Sequence, residues 1–204
     1  MPQLMSFSVI ALGLFVWWQA TLGFRALTWE SYRRLQLEDR PQAVPNLVLE
    51  DQRGRRFDLA SLKGKLVVVN FFYTRCTTLC SATGLIYANL QRALVQYAYQ
   101  DKVRLLSVSL EPQRDTPPQL MQYMQRFTTQ VDGPWLSVHA LSQQDNENLL
   151  HKLGVVSIPD GQGGIRHNAA SHVIDTQGRL VRIMDETNID QIMESIEALL
   201  PSTG

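Results

Sequence analysis

Apolar residues in this chain occur in runs of different lengths, and each length indicates a different element. Leu4–Leu22 contains no charged residue and extends over about 19 residues, which is enough for a helix to cross a bilayer. Leu66–Tyr73 and Val103–Leu110 are shorter and almost continuously apolar. Runs of this kind are typical of strands buried on both faces of a sheet. The pattern therefore predicts an N-terminal membrane helix followed by a domain built on buried strands.

The remaining periodicity predicts the helices and hairpins around these strands. Residues 46–59 predict a hairpin that turns at Gly54, and Thr116-Pro117 predicts a helix start with Thr116 as N-cap. The other predicted elements are a helix over Ser81–Tyr99, a strand over Trp135–Leu141, a surface helix over Gln143–Leu153, a hairpin of Ser171–Asp175 with Leu180–Met184, and a closing helix over Ile189–Leu200. Strands that alternate with helices and end in a hairpin and a helix indicate an α/β fold. We predict a thioredoxin-like three-layer α/β/α sandwich with an added N-terminal hairpin, preceded by one N-terminal transmembrane helix.

The chain has only two cysteines, Cys76 and Cys80, and both lie where the first buried strand passes into a helix. At a helix N-terminus the unpaired N–H groups and the helix dipole favour the thiolate form, which metal binding and disulfide exchange both require. On a helix, C-x-x-x-C spacing holds the two Cβ atoms about 5–6 Å apart, whereas a relaxed disulfide prefers roughly 3.5–4.5 Å. The spacing therefore favours a metal ion, with reversible oxidation and two buried structural cysteines as the alternatives.

Two thiolates do not complete a metal site, so the four histidines are the next candidates. His139 lies in an alternating strand, His151 on the predicted surface helix, and His172 inside a predicted strand, where sheet-face or solvated histidines are expected. His167 ends the loop Ser157–Arg166, whose three glycines leave the backbone mobile. A solvated loop histidine and a metal ligand are both compatible with this position.

Three segments together resemble a known family. Phe71–Cys80 reads F-x-[FY]-T-x-C-x-x-x-C, Ser109–Pro117 is similar to S-x-D-P-x-x-D-T-P, and His167–Arg179 is similar to H-S-(x)6-D-x-x-G-[RK]. These are signatures of the Sco/SenC family, copper-binding proteins that assist assembly of the copper site of cytochrome c oxidase. The resemblance extends from about Pro45 to Leu200. The chain departs from it in having Glu in place of Asp in the second segment and Asn in place of Ser in the third.

The resemblance implies a copper site formed by Cys76, Cys80 and His167, with one copper ion per chain. Two thiolates suit Cu(I), and an added imidazole allows the same site to hold Cu(II). The resemblance also selects His167 among the four histidines, because it lies eight residues before the Asp of the D-x-x-G turn. Glu111 and Asp115 are candidates to accept a hydrogen bond from the imidazole, with capping of a helix start as the alternative for Asp115.

The N-terminal segment indicates in which cellular compartment the domain lies. We divide the chain into an anchor (residues 1–24), a tether (25–41) and a thioredoxin-like copper-binding domain (42–204). The segment lacks a small-x-small cleavage site, which favours an uncleaved anchor. The positive charges of Arg25, Arg33 and Arg34 follow the span, so the positive-inside rule alone would place the domain in the cytoplasm. The resemblance implies the opposite: a single-pass protein of the inner (cytoplasmic) membrane whose domain faces the periplasm, and we adopt that orientation.

The net charge of the chain limits the kinds of binding partner that are expected. Nineteen basic and nineteen acidic residues give a formal net charge of zero, so a nucleic-acid partner is not expected. The expected partner is the copper-receiving subunit of a respiratory oxidase or another periplasmic copper or thiol protein.

Two functions remain open. In the first the chain is a copper metallochaperone that uses Cys76, Cys80 and His167. In the second it is a thiol-disulfide oxidoreductase, and therefore an enzyme, in which Cys76 attacks and Cys80 resolves. A redox sensor would use the same two thiols. Substitution of His167 distinguishes the first function from the second, because a reductase does not need the imidazole.

Overall fold

The computed structural model describes residues 2–21, 23, 28–76 and 79–200, without the side chains of residues 2–9, 11, 29, 38, 79 and 80. The chain forms two compact units, Met1–Pro41 and Gln42–Gly204.

The first unit contains two helices, α1 (Pro2–Ala20) and α2 (Trp29–Asp39). A capping box starts α2, in which Thr28 accepts from the Ser31 N–H and Ser31 accepts from the Thr28 N–H. Among the described residues, no helix combines the length and the apolar character that a membrane span requires. The transmembrane helix predicted from the sequence is therefore not supported by the structure.

The second unit is built on an eight-stranded sheet and a separate two-stranded sheet. In chain order the strands are β1 (Gln42–Ala43), β2 (Val48–Asp51), β3 (Arg56–Asp58), β4 (Leu66–Phe72), β5 (Val103–Ser109), β6 (Trp135–Ala140), β7 (Ser157–Pro159), β8 (Ile165–His167), β9 (Ser171–Ile174) and β10 (Arg179–Met184). The large sheet has the order β1-β10-β9-β4-β5-β6-β2-β3, and β7 pairs with β8. Strands β4, β5 and β6 are parallel and the other neighbours are antiparallel.

The helices of the second unit follow the predicted pattern. They are a 3-10 turn (Leu59–Leu62), α3 (Leu79–Gln96), α4 (Pro117–Gln125), α5 (Gln143–Leu153) and α6 (Ile189–Leu199). Thr116 caps α4 in a capping box with Gln119, as its position before Pro117 predicts. Helix α5 ends at Gly154, which takes the left-handed conformation at φ +67° that closes many helices.

Strand β4 is the centre of the core, and every one of its residues is buried. One chain of buried polar groups crosses the sheet: the Ser107 hydroxyl donates to Asn70 (2.7 Å) and accepts from the indole N–H of Trp135 (2.9 Å). Phe72 stacks on Tyr123 of α4 at 4.2 Å between ring centroids. Gly84 of α3 lies against the ring of Phe127, which follows α4, and a Cβ at this position would overlap that ring.

The topology places three chain segments at one edge of the sheet. Phe72 and Ser109 are in register at the carboxyl ends of the parallel strands β4 and β5, so the residues after both strands adjoin. Strand β9 runs antiparallel to β4 with His172 opposite Val69, so β9 begins at the same edge. The three segments that carry the sequence signatures therefore meet there.

Residues 157–166 form an element different from the one the sequence predicts. The sequence predicts a mobile glycine-rich loop, whereas the structure has a hairpin in which Ser157 pairs with His167 and Pro159 with Ile165. Its strands have three residues each. Such short strands carry too little alternation to be recognised as a sheet from sequence.

Candidate metal centre

The turn after β4 positions Cys76. Its backbone N–H donates to the Tyr73 carbonyl (3.1 Å), which bends the chain away from the strand. The Cys76 side chain is largely covered, with 8% of the residue's surface exposed. Cys80 is the second residue of α3 by its backbone, whereas the sequence predicted a helix that begins at Ser81, and the Cys80 side chain lies outside the described part of the structure. The cysteine segment therefore occupies the strand-to-helix junction predicted from the sequence.

A buried carboxylate holds this turn. Asp115, which is 1% exposed, accepts from the Thr74 N–H (3.1 Å), the Thr74 hydroxyl (2.6 Å) and the Ser109 hydroxyl (2.5 Å). Ser109 in turn accepts from the Glu111 N–H (2.9 Å). Hydrogen bonds to a charged acceptor are shorter and stronger than those between neutral groups. The segment after β5 thus fixes the backbone that leads to Cys76.

A second set of contacts ties the β7–β8 hairpin to the same turn. The Arg75 guanidinium pairs with the Glu111 carboxylate (2.7 and 3.1 Å) and also donates to the Gly163 carbonyl (3.0 Å). The Tyr73 hydroxyl accepts from the Ile165 N–H (3.3 Å). Tyr73 and Arg75, the residues on either side of Thr74, therefore each make one hydrogen bond to the hairpin that ends at His167.

The hairpin tip has its own anchor in Asp160. This carboxylate accepts from the backbone N–H groups of Gln162 and Gly164 (both 2.8 Å), and these hydrogen bonds lower the pKa of Asp160. A Cβ on Gly164 would overlap the Asp160 carboxylate and crowd the Tyr73 hydroxyl, so a larger residue there would have to displace the Asp160 side chain. The glycines of this segment form a defined turn.

His167 is half-buried at the end of β8, and burial lowers the pKa of its imidazole. Its Nδ1 lies 3.3 Å from the Asn168 carbonyl. A carbonyl oxygen can only accept, so Nδ1 carries the proton in this bond and Nε2 keeps its lone pair. The neutral imidazole is the form that binds a metal ion. The neighbouring Asn168 side chain accepts from the Val156 N–H (2.8 Å), which fixes the backbone beside the histidine.

The other histidines occupy the positions expected of residues outside a metal site. His139 is buried on β6 and its Nε2 lies 3.0 Å from the Glu50 carboxylate, and His172 is fully buried with its ring edge-on to Phe71. His151 is exposed on α5. Among the described side chains, no three His, Cys, Asp or Glu residues meet in a geometry that could hold a metal ion. This statement does not extend to Cys80, whose side chain lies outside the described residues.

Two acidic residues have roles other than the predicted ones. Asp115 and Glu111 were expected to accept a hydrogen bond from the His167 imidazole. The contacts of Asp115 are instead with Thr74 and Ser109, and Glu111 pairs with Arg75. Thr116, rather than Asp115, caps α4.

A buried carboxyl group close to the cysteine helix was missed by sequence reasoning. Glu186, 2% exposed, accepts from the Thr83 hydroxyl (2.8 Å), and burial raises the pKa of Glu186. Thr83 is three residues after Cys80, on the same face of α3. The sequence gives no signal for this contact, because Glu186 lies in a short polar stretch that is typical of an exposed loop.

The sheet order, the dithiol at the end of β4 and the histidine-bearing hairpin tied to it define a thioredoxin-like α/β domain with a candidate metal centre at one sheet edge. The chain belongs to the SCO1/SenC family, whose family model matches residues 36–201. The SCO1 protein homolog of Bacillus subtilis (strain 168) is 25% identical over 160 residues, covering 76% of this chain and 81% of the relative.

Two solved structures share the fold. The structure of Bradyrhizobium japonicum ScoI with copper bound has a TM-score of 0.65 at 24% identity and covers 78% of this chain and 99% of that protein. BsSco, a member of the Sco family of cytochrome c oxidase assembly proteins in which a disulfide switch was identified, has a TM-score of 0.69 at 21% identity and covers 78% of this chain and 94% of that protein. At these identities the likeness demonstrates the fold and carries no assignment of individual residues.

Proposed function

We propose that this chain is a copper metallochaperone, with one copper ion held by Cys76, Cys80 and His167 and passed to the copper-receiving subunit of a respiratory oxidase. One observation carries the proposal: the hairpin that ends at His167 is hydrogen-bonded at two points to the turn that carries Cys76. Membership of the SCO1/SenC family and the copper bound by ScoI of Bradyrhizobium japonicum support the choice of metal.

The donor set fits copper chemically. Two thiolates satisfy Cu(I), and a neutral imidazole with a free Nε2 adds the donor that Cu(II) needs. Burial keeps His167 neutral to lower pH than an exposed histidine, so the ligand does not have to lose a proton before it binds. The copper ion is the cargo of this reaction, and the residues of the chain supply its binding and release.

The hairpin is the element through which we propose release to occur. It contacts the turn through an exposed guanidinium and one tyrosine hydroxyl, whereas the turn itself is held by a buried carboxylate. We expect the hairpin to close on the cargo and to loosen when it leaves. Amide hydrogen exchange of residues 160–167 measured with and without copper tests this, and identical exchange in the two states would refute it.

We further propose that the first unit anchors the chain in the inner membrane, with the second unit in the periplasm. The described apolar side chains of α1 from Ile10 to Trp18 are between 47% and 64% exposed, which is a costly arrangement in water. Labelling of Cys76 by a membrane-impermeant thiol reagent in intact spheroplasts tests the orientation. Labelling only after lysis would place the domain in the cytoplasm.

Anaerobic copper titration of the full chain tests the metal site. Wild type should bind one Cu(I) and one Cu(II), and His167→Ala should lose Cu(II) while it retains Cu(I). His151→Ala is the matched control, because His151 is exposed on α5, and it should behave as wild type. Weak copper binding that is indifferent to His167 would overturn the proposal.

A second candidate function is reduction of a client disulfide, which is supported by the disulfide switch identified in BsSco. The Cys76 thiolate would attack one sulfur of the client disulfide and release the other as a thiolate, leaving a mixed disulfide. The Cys80 thiolate would then attack the Cys76 sulfur, so that the client leaves as a dithiol and the chain gains the Cys76–Cys80 disulfide. This activity would survive His167→Ala, and Cys80→Ser would trap the mixed disulfide.

A further inference from the structure

A polar groove opens beside Cys76. We call it the cysteine groove; it has a volume of about 520 Å³ and is lined by Thr74, Arg75, Cys76, Ser81, Gln119, Gln122 and Arg126. One wall is the turn that carries the thiol, and the other is a face of α4 and its C-cap. Gln119, Gln122 and Arg126 are spaced so that they project from the same side of that helix. The groove therefore presents amide and guanidinium groups next to a sulfur atom.

A second groove lies next to the first. This helix groove has a volume of about 400 Å³ and is lined by Ala88, Arg92, Gln125, Arg126, Phe127, Thr128, Thr129 and Gln130. Arg126 lines both grooves, so the two grooves adjoin at its side chain, and we call them together the path from Cys76 to the segment before β6. None of the described residues that line either groove is acidic.

The path has an excess of positive charge although the whole chain has a formal net charge of zero. The charge of Arg75 is balanced by Glu111, with which it pairs at 2.7 Å. Arg126 makes no ion pair with any described residue, and Arg92 contacts only the neutral side chain of Asn89. Two exposed guanidinium groups thus remain available along the path.

We propose that the two grooves together dock an extended, acidic segment of the protein that receives the copper, and that this segment enters at Arg92 and ends at Cys76. An open, mostly polar path does not suit an apolar small molecule, which needs an enclosed apolar pocket. An extended peptide exposes backbone N–H and C=O groups that the glutamine amides can bond, and its carboxylates can pair with the two arginines. The location beside Cys76 brings the segment to the atom from which a ligand exchange would begin.

The inference rests on the proposed function, because it assigns the groove to the receiver of the copper. The path would select an acidic segment through charge complementarity, which affects the rate of encounter and the register of binding more than the total affinity. The proposed copper site and the proposed docking path can nevertheless be refuted independently. Copper stoichiometry reports the metal site, and peptide binding reports the groove.

Fluorescence anisotropy of a labelled peptide tests the groove with the full chain in a non-ionic detergent. The probe is a fluorescein-labelled peptide in which glutamate and serine alternate, and its matched control has lysine in place of each glutamate. The glutamate peptide should bind more tightly than the lysine peptide, and Arg126→Glu combined with Arg92→Glu should weaken its binding roughly tenfold at low salt. Lys63→Glu, a single reversal of charge at the opposite end of β4, should change binding less than about twofold, and Arg126→Glu alone should change it more than Lys63→Glu does.

Three results would overturn the inference. The first is equal binding of the glutamate and lysine peptides, and the second is an equal effect of the arginine reversals and Lys63→Glu. The third is arginine-dependent binding to vesicles of phosphatidylglycerol without binding to the peptide, which would assign the path to a lipid surface. The copper content of each sample separates these results from a failure of the metal site. If copper-loaded protein does not bind the peptide, only the docking proposal is refuted.

Discussion

Asp115→Asn is the substitution that best tests how the cysteine turn is held. The wild-type carboxylate is 1% exposed and accepts two hydrogen bonds from Thr74 and one from the Ser109 hydroxyl. The amide of asparagine has almost the same shape but only one oxygen and no charge. The NH₂ group of the asparagine therefore replaces one carboxylate oxygen and faces at least one donor that this oxygen bonds in the wild type, so that hydrogen bond is lost.

The size of the effect follows from these contacts. One hydrogen bond to a charged acceptor contributes about 1.5–3 kcal/mol, and a buried donor left without a partner costs about 1–3 kcal/mol more. Relaxation of the turn will recover part of this sum, so we expect the free energy of unfolding to fall by about 2–4 kcal/mol. Because the bonds converge on Thr74, two residues before Cys76, the turn should lose its fixed geometry before the rest of the sheet is affected.

Asp51 supplies a matched control. It is also 1% exposed and accepts from the Arg53 N–H (2.8 Å), the Arg55 N–H (3.0 Å) and the Arg55 side chain (2.8 Å), but it lies in the β2–β3 hairpin. Asp51→Asn should therefore destabilise the protein through the same chemistry without a contact to the cysteine turn.

Urea unfolding followed by tryptophan fluorescence measures the stability of both variants, and competition with a Cu(I) chelator measures their copper affinity. We expect Asp115→Asn to lower copper affinity roughly tenfold, which corresponds to about 1.4 kcal/mol of lost preorganisation. Asp51→Asn should leave copper affinity unchanged. The reasoning is refuted if copper affinity is unchanged in Asp115→Asn, or if it falls equally in both variants.

Two further substitutions test the buried carboxyl and the hairpin. Burial raises the pKa of Glu186, so the folded chain holds its proton more tightly than the unfolded chain and stability falls as pH rises from about 4.3 through the raised value. Glu186→Gln should flatten that dependence and be the more stable form at about pH 8, because the amide is neutral at every pH. Parallel urea-midpoint curves for the two proteins would contradict this expectation. Arg75→Ala removes the contacts with Glu111 and Gly163, so amide exchange of residues 163–167 should become faster while the urea midpoint changes little, and unchanged exchange at the hairpin would show that Arg75 does not hold it.

Sequence patterns predicted the elements whose signals are local. The apolar run Leu66–Tyr73 became β4 (Leu66–Phe72), and Gln143–Leu153 became α5 with the predicted bounds. A strand buried on both faces leaves a continuous run, and a helix start leaves a cap residue such as Thr116, so both can be recognised within a few residues. The position of His167 at the same sheet edge as the cysteines came from the family resemblance.

The contacts that build the candidate site could not be predicted in this way. Thr74 and Asp115 are 41 residues apart in the chain, and Arg75 and Gly163 are 88 apart. Pairing of polar side chains over such distances follows from the register of the sheet and leaves no periodic signal in the sequence. For the same reason the sequence offered Glu111 and Asp115 as candidate acceptors for the His167 imidazole, whereas their contacts in the structure are with Arg75, Thr74 and Ser109.

The arrangement of these contacts divides the candidate metal centre into a fixed side and a displaceable side. The turn that leads to Cys76 is held by a carboxylate that is 1% exposed, and its hydrogen bonds are costly to break because the charge would stay buried with fewer donors. The hairpin that carries His167 is held to this turn through neutral groups of its own backbone, by the exposed Arg75 side chain, where water replaces a broken contact at little cost, and by one long hydrogen bond (3.3 Å) to the Tyr73 hydroxyl. A cargo bound between the two sides would therefore lose its imidazole ligand before its thiolate ligands. The proposed docking path reaches Cys76 from α4, so a receiving protein could engage the thiolate side while the hairpin moves away.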